Sequence, residues 1–140
     1  MEKIEQCITF LLGKAYQKSQ QVAKQKLNAY QITPVQYALL LVLWEKDGLY
    51  SAELGARLKL DGATMTGLLD RLVQKDMIER RPDDTDRRIN TIHLTQKAIS
   101  LKTSLNEAMN QAHEEILLDL SAEEKHVLTK ILAKIGEIER

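Results

Sequence analysis

Cysteine is nearly missing from this chain: Cys7 is the only one among 140 residues, which excludes an intrachain disulfide and leaves no Cys-x-x-Cys metal spacing. Long hydrophobic runs are missing too. The longest, Tyr37 to Trp44, falls far short of the roughly 20 residues needed to cross a bilayer, so no membrane partner is expected. No basic leader followed by an apolar run and a cleavage site opens the chain, and a cytoplasmic location is the expectation. Net charge is absent as well, since 20 basic and 20 acidic side chains cancel. A neutral chain exerts no long-range pull on a polyanion, so a nucleic-acid partner has to be held by a local cluster or by a dimer that sums two clusters. Neither an internal repeat nor a low-complexity linker interrupts the sequence.

What is present is hydrophobic patterning. With 44% hydrophobic residues the chain can form the core of one ordinary domain, and global disorder is excluded. Ile4, Cys7, Ile8, Leu11, Leu12, Ala15, Ser19, Val22, Ala23 and Leu27 recur at three- and four-residue intervals, predicting a helix over roughly 3–29 with one apolar stripe. Thr33-Pro34-x-Gln36 supplies an N-cap, a first-turn proline and a capping-box partner for a helix ending near Lys46, before Asp47-Gly48. Ser51 is expected to cap a short helix to Leu58. A break at Leu60-Asp61-Gly62 precedes a second helix from Ala63 to Lys75, which is the spacing of a helix-turn-helix. Leu54, Leu58, Met65, Leu68, Leu69 and Leu72 form its packing face, and Thr64, Thr66, Gly67 and Arg71 its outward face.

Asp76 closes the second helix where a left-handed residue is useful. Ile78-Glu79-Arg80-Arg81 and Asn90-Thr91-Ile92-His93-Leu94 are short enough for hairpin strands, joined by a turn from Pro82 to Arg88. Thr95 caps a further helix carrying Leu101, Leu105, Met109, Ala112, Ile116 and Leu117. Ser121-x-x-Glu124 starts a last one with Val127, Leu128, Ile131, Leu132, Ile135 and Ile138. The fold class is therefore mainly α with a small β hairpin: a winged helix-turn-helix flanked by long N- and C-terminal dimerisation helices. Residues 1–32 would form an N-terminal dimerisation helix, 33–95 the DNA-binding module and 96–140 the C-terminal dimerisation helices. The apolar stripes over Met1–Leu27 and Leu101–Glu139 call for another surface. An identical subunit supplies it, the alternative being an intrachain helical bundle.

DNA recognition divides side chains between phosphate positioning and base reading. Thr64 and Thr66 offer hydroxyls to base edges and methyls to thymine, and Arg71 reaches phosphate or guanine. Equally, the hydroxyls of Ala63-Thr64-Met65-Thr66 can satisfy nearby backbone in an ordinary helix start. Arg80, Arg81, Arg87 and Arg88 border the turn, tempered by Asp83, Asp84 and Asp86. Asp86 can hold Arg88 in a defined direction, while the bland account is a solvated hairpin with weak surface ion pairs.

Leu54 to Leu60, Asp61-Gly-Ala-Thr-Met-Thr-Gly-Leu-Leu-Asp-Arg-Leu72, Ile78-Glu-Arg-Arg81 and Asp83-Asp-Thr-Asp-Arg-Arg88 with His93-Leu-Thr95 resemble the MarR family of regulators, and the likeness extends over the flanking helices. The Asp86-x-Arg88 wing followed by Leu94-Thr95 is its most specific portion. The resemblance implies double-stranded DNA as partner, in an inverted repeat, with Ala63 to Lys75 as recognition helix and Arg88 aimed at the minor groove. It further implies a homodimer through the flanking helices and a ligand-responsive repressor of transcription. Two positions depart from the family pattern: Gly67, where many relatives carry a larger, often basic, side chain, and Asp76, where glycine is common.

The resemblance also implies a small aromatic or amphipathic acid bound between the dimer helices and the winged domain. Tyr16, Tyr30, Tyr37 and Trp44 offer walls, with Lys14 or Lys18 as carboxylate partners, though these aromatics serve equally as core or interface residues. Thiol-sensing members use a cysteine early in the first helix. Gln36-Tyr37 and Leu60-Asp61 match their pattern, but no tyrosine follows Thr33, and Cys7 lies earlier than expected. A third alternative is a dimeric architectural or protein-binding module. No enzyme is expected: Cys7 has no histidine in its turn, and His93, His113 and His126 show no ligand spacing. Neither cofactor nor metal is called for.

Overall fold

A computed structural model describes residues 2–138, so Met1 and Glu139, the outer limits of the expected dimer-forming segments, lie outside the described residues. The order is α1 (Ile8–Leu27), α2 (Pro34–Glu45), β1 (Leu49–Tyr50), α3 (Ser51–Leu58), α4 (Gly62–Gln74), β2 (Ile78–Pro82), β3 (Asn90–Leu94), α5 (Gln96–Ile116) and α6 (Ala122–Ile135). The molecule is mainly helical, a winged helix-turn-helix with long flanking helices. No described helix is long and apolar enough to cross a membrane.

Three local expectations change. The first helix does not run from residue 3: a 3-10 turn, Ile4–Gln6, comes first, and Cys7 adopts extended backbone as the N-cap of α1. The Gln6 side chain turns back to accept the backbone N–H groups of Glu2 and Lys3, closing that turn on itself. Cys7 is thus a half-buried junction residue, not a member of an apolar helical face. At α3 the cap is Tyr50 and not Ser51, because pairing with Thr91 holds Tyr50 extended while the Glu53 carboxylate accepts its N–H at 3.0 Å. The hairpin gains a third strand, giving the antiparallel order β1-β3-β2 with Leu49 opposite Ile92 and Ile78 opposite Leu94. A two-residue strand leaves too short an alternation to be read in sequence.

The caps elsewhere follow the sequence. Thr33 and Gln36 form a reciprocal capping box on α2, as do Ser121 and Glu124 on α6, and Thr95 Oγ1 accepts the Ala98 N–H. Asp76 takes φ 58°, the left-handed conformation expected of it. Gly48 sits at φ 74° against the His93 ring, where a Cβ would lie 3.1 Å from Cε1, so a side chain is opposed by both backbone and space.

The core collects Leu27, Leu39, Leu40, Leu43, Leu54, Leu72, Ile92 and Leu105, all essentially inaccessible. It lies under the winged module and extends up α5, with α1 packed along α5. Trp44 Nε1 donates to the Ala98 carbonyl at 3.2 Å and Tyr37 Oη to Asn106 Oδ1 at 2.7 Å, so two polar-tipped aromatics lock α2 to α5. By contrast, no described residue of α6 is buried, and Val127, Ile131, Leu132 and Ile135 are all exposed.

Candidate nucleic-acid interface

The N-terminal end of α4 is built by Asp61, whose carboxylate accepts the Thr64 N–H at 2.7 Å. Hydrogen bonding from Thr64 holds its carboxyl below the usual range. This cap starts the helix at Gly62, one residue ahead of the sequence expectation. Gly55 of α3 approaches the turn closely: a Cβ there would lie 3.2 Å from the Leu60 carbonyl oxygen. Thr64, Thr66 and Arg71 are all exposed on α4. The Thr66 hydroxyl donates to the Gly62 carbonyl at 3.0 Å, the backbone-satisfying arrangement, while its oxygen keeps acceptor capacity. Gly67 leaves space that the Arg71 guanidinium approaches, since a Cβ at Gly67 would stand 3.4 Å from Arg71 Nη1.

The wing carries the second cluster. Arg88 Nε and Nη2 each donate to the Asp86 carboxylate at 3.0 Å, and the Arg88 backbone N–H does so at 3.1 Å. This fork lowers the pKa of Asp86 and raises that of Arg88, each chiefly through the side-chain bond between them. Desolvation acts the other way on Arg88 and is outweighed, its side chain being 89% exposed. Arg87 is exposed beside it. The other two arginines are paired: Arg80, half-buried, bonds Asp70 of α4 through Nη2 at 2.6 Å, and Arg81, exposed on the opposite face of β2, bonds Glu79 through Nε at 2.7 Å. Between α3, α4 and the sheet opens a groove of about 940 Å³ whose lining includes Tyr50, Ser51, Met65, Thr66, Arg80 and Asn90.

These observations join an exposed helix face to an exposed, oriented arginine through the Arg80–Asp70 tie. Residues 32–89, which span α2 through the wing tip, match the family model described as the MarR family. Over 103 residues the chain is 37% identical to the organic hydroperoxide resistance transcriptional regulator of Bacillus subtilis, covering 71% of this chain and 68% of that one.

The chain belongs to the MarR family.

The HTH-type transcriptional repressor NicR of Pseudomonas putida is 29% identical over 125 residues, 89% of this chain and 79% of that protein. Among solved structures, a mutant MarR from E. coli complexed with operator DNA superposes with TM-score 0.82 at 28% identity, covering 89% and 90% of the two chains. These MarR-family relatives are named as transcriptional regulators, which implies a non-enzymatic role. Among the described residues no group of His, Cys, Asp and Glu is arranged to hold a metal.

The six residues expected to line an effector pocket are not brought together. Tyr37 is a core residue with its polar tip bonded to Asn106, while Trp44, bonded to the Ala98 carbonyl, and Tyr30 pack half-buried against the same core. Lys14 contacts Phe10 on α1, and Lys18 is exposed. Tyr16 alone lines a cleft, of about 320 Å³, together with Gln20, Lys24, Thr33, Pro34, Gln36, Leu68 and Arg71. At its floor, Gln36 is buried and its Oε1 accepts both the Thr33 N–H and Lys75 Nζ. Desolvation, then the nearby Arg71 charge, lowers the Lys75 pKa. Lys24 escaped sequence reasoning because one lysine on a lysine-rich helix carries no mark. Tyr50 and Asp83 escaped it as well: Asp83 shows only a turn signal, and Tyr50 bonds it across 33 residues.

Proposed function

We propose that this chain is a sequence-specific DNA-binding repressor of transcription, acting in the cytoplasm as a homodimer on an inverted repeat. The observation that carries the reading is the Arg88 fork on Asp86, which holds a solvent-exposed cation in one direction on the wing of a module whose α4 also presents an exposed face. Thr64, Thr66 and Arg71 would meet the major groove and Arg88 the minor groove, with Arg87 near phosphate. Residues 33–95 bind DNA, while 1–32 and 96–140 join the subunits. The exposed apolar face of α6 supports the dimer, and paired modules fit half-sites about one DNA turn apart. The repressor sense is supported by the name of the Pseudomonas relative.

A small aromatic or amphipathic acid acts as the releasing ligand. Its support is the cleft between α1, α2 and α4, where Tyr16 supplies an aromatic wall and Lys24 and Arg71 supply cations for a carboxylate. To release DNA, the acid must bind the DNA-incompatible arrangement more tightly. A tenfold change in operator affinity corresponds to about 1.4 kcal/mol of coupling. Oxidation of Cys7 is the second reading, favoured by similarity to the hydroperoxide-resistance regulator and by a half-buried thiol at the start of α1. A fluorescence DNA-release screen under reducing conditions, repeated with Cys7→Ser, separates the two. Release by a phenolic acid that survives the substitution supports the ligand mechanism. Release by oxidants alone, abolished by Cys7→Ser, replaces it with the thiol switch.

A further inference from the structure

The wing tip is tied to the helix-turn-helix by one side-chain bond. Tyr50 Oη donates to Asp83 Oδ1 at 2.8 Å, across 33 residues of sequence. The other carboxylate oxygen of Asp83 accepts the Thr85 hydroxyl at 2.6 Å, the Thr85 N–H at 3.2 Å and the Asp86 N–H at 3.1 Å. Asp86 in turn grips Arg88 by its backbone and two guanidinium nitrogens. A continuous series of hydrogen bonds therefore runs from the first residues of the helix-turn-helix to the guanidinium at the wing's edge.

Both ends of this series have a reason to need it. Tyr50 is a fixed point: its backbone pairs with Thr91 in the sheet and its N–H is held by Glu53 at the start of α3. Arg88 is the opposite, with most of its side chain in water, so only hydrogen bonds restrict its direction. Residues 84, 85 and 87–90 are exposed too, and two backbone bonds, from Asp83 N–H to the Ile89 carbonyl at 2.9 Å and from Ile89 N–H to the Asp86 carbonyl at 3.2 Å, close the tip.

We propose that Tyr50 and Asp83 are positioning residues for DNA recognition, fixing the wing tip on the start of α3 so that Arg88 is presented to DNA at one angle. The inference rests on the DNA-binding reading above and assigns part of it to two residues outside the DNA contact itself. The carboxylate of Asp83 is suited to a permanent link, because hydrogen bonds from Thr85 and then Tyr50 hold its pKa down to about 2. At any ordinary pH it is an acceptor only.

The test is a double-mutant cycle in operator affinity, using the full chain with Tyr50→Phe, Arg88→Ala and both together. Tyr50→Phe should weaken binding about fivefold, the scale of one hydrogen bond, with melting temperature and dimer mass unchanged. In the Arg88→Ala background the same change should have no effect. Wild-type affinity in Tyr50→Phe overturns the proposal, as does an equal loss in both backgrounds, since the phenol would then act independently of Arg88. If Arg88→Ala itself binds as the wild type does, the DNA-binding assignment of the wing fails first and takes this inference with it.

Discussion

Four donors converge on the Asp83 carboxylate and three on that of Asp86, in a wing that buries little else. Order at the tip is therefore a matter of charge-assisted hydrogen bonds, which hold direction without a core. The sign of the pH dependence follows from the lowered pKa of Asp83. Its contribution to wing order is present above the ordinary value of 3.8 and is lost as pH falls through about 2. A carboxyl NMR titration should place its midpoint near about 2, and Tyr50→Phe should move that midpoint upward; a midpoint of 3.8 in the unsubstituted protein would contradict the network. Arg88→Ala is the complementary test on the DNA side. Loss of Arg88 should weaken binding with dimer mass unchanged, whereas Arg87→Ala, which removes the proposed phosphate contact from both subunits, should reduce the logarithmic salt slope by roughly 1.8, about 0.9 for each contact. Anisotropy titrations at several salt concentrations read both quantities.

At the level of elements, caps set where helices begin, and one of them also holds α4. Gln36 completes the α2 capping box with Thr33, and the same Oε1 accepts Lys75 Nζ from the end of α4. Lys75 Nζ also bonds the Gln31 carbonyl, so the C-terminal end of α4 is held to the α1–α2 junction. Thr33→Ala should cost about 1 kcal/mol in denaturant unfolding, as loss of a good N-cap does, and a change near zero would show that Pro34 and Gln36 suffice. The capping box itself was legible in sequence, because its partners stand three residues apart. The Lys75 link was not: 39 residues separate it from Gln36, and nothing local marks the pair.

For the whole molecule, the outstanding surface is α6, apolar along one side and without a buried residue. Such an exposed patch is a liability for a lone chain and an interface for two. Ile131, 48% exposed, is the test position: Ile131→Glu should shift the sedimenting species from dimer toward monomer at micromolar concentration. A wild-type chain that sediments as a stable monomer throughout that range would remove the dimer model. Under the proposed paired reading of DNA, the same substitution should weaken binding to a two-half-site operator more than to a single half-site.

The sequence by itself determined α2, α4 and α5 to within a residue or so, the start of α6 though not its end, which comes at Ile135 before the expected Ile138, the two principal wing strands and the outward placement of Thr64, Thr66 and Arg71. All of these depend on periodicity, caps and turns acting over about four residues, where chain geometry leaves few choices. Only the tertiary structure decided that Tyr37 enters the core and Trp44 packs against it, through bonds spanning 69 and 54 residues. It also brought Tyr16 beside Lys24 and Arg71, added the short strand β1, and joined Tyr50 to Asp83. An aromatic on an apolar helix has the same local signature whether it lines a pocket or fills a core. Which it does is fixed by the packing of distant elements, where a buried polar tip must find a partner.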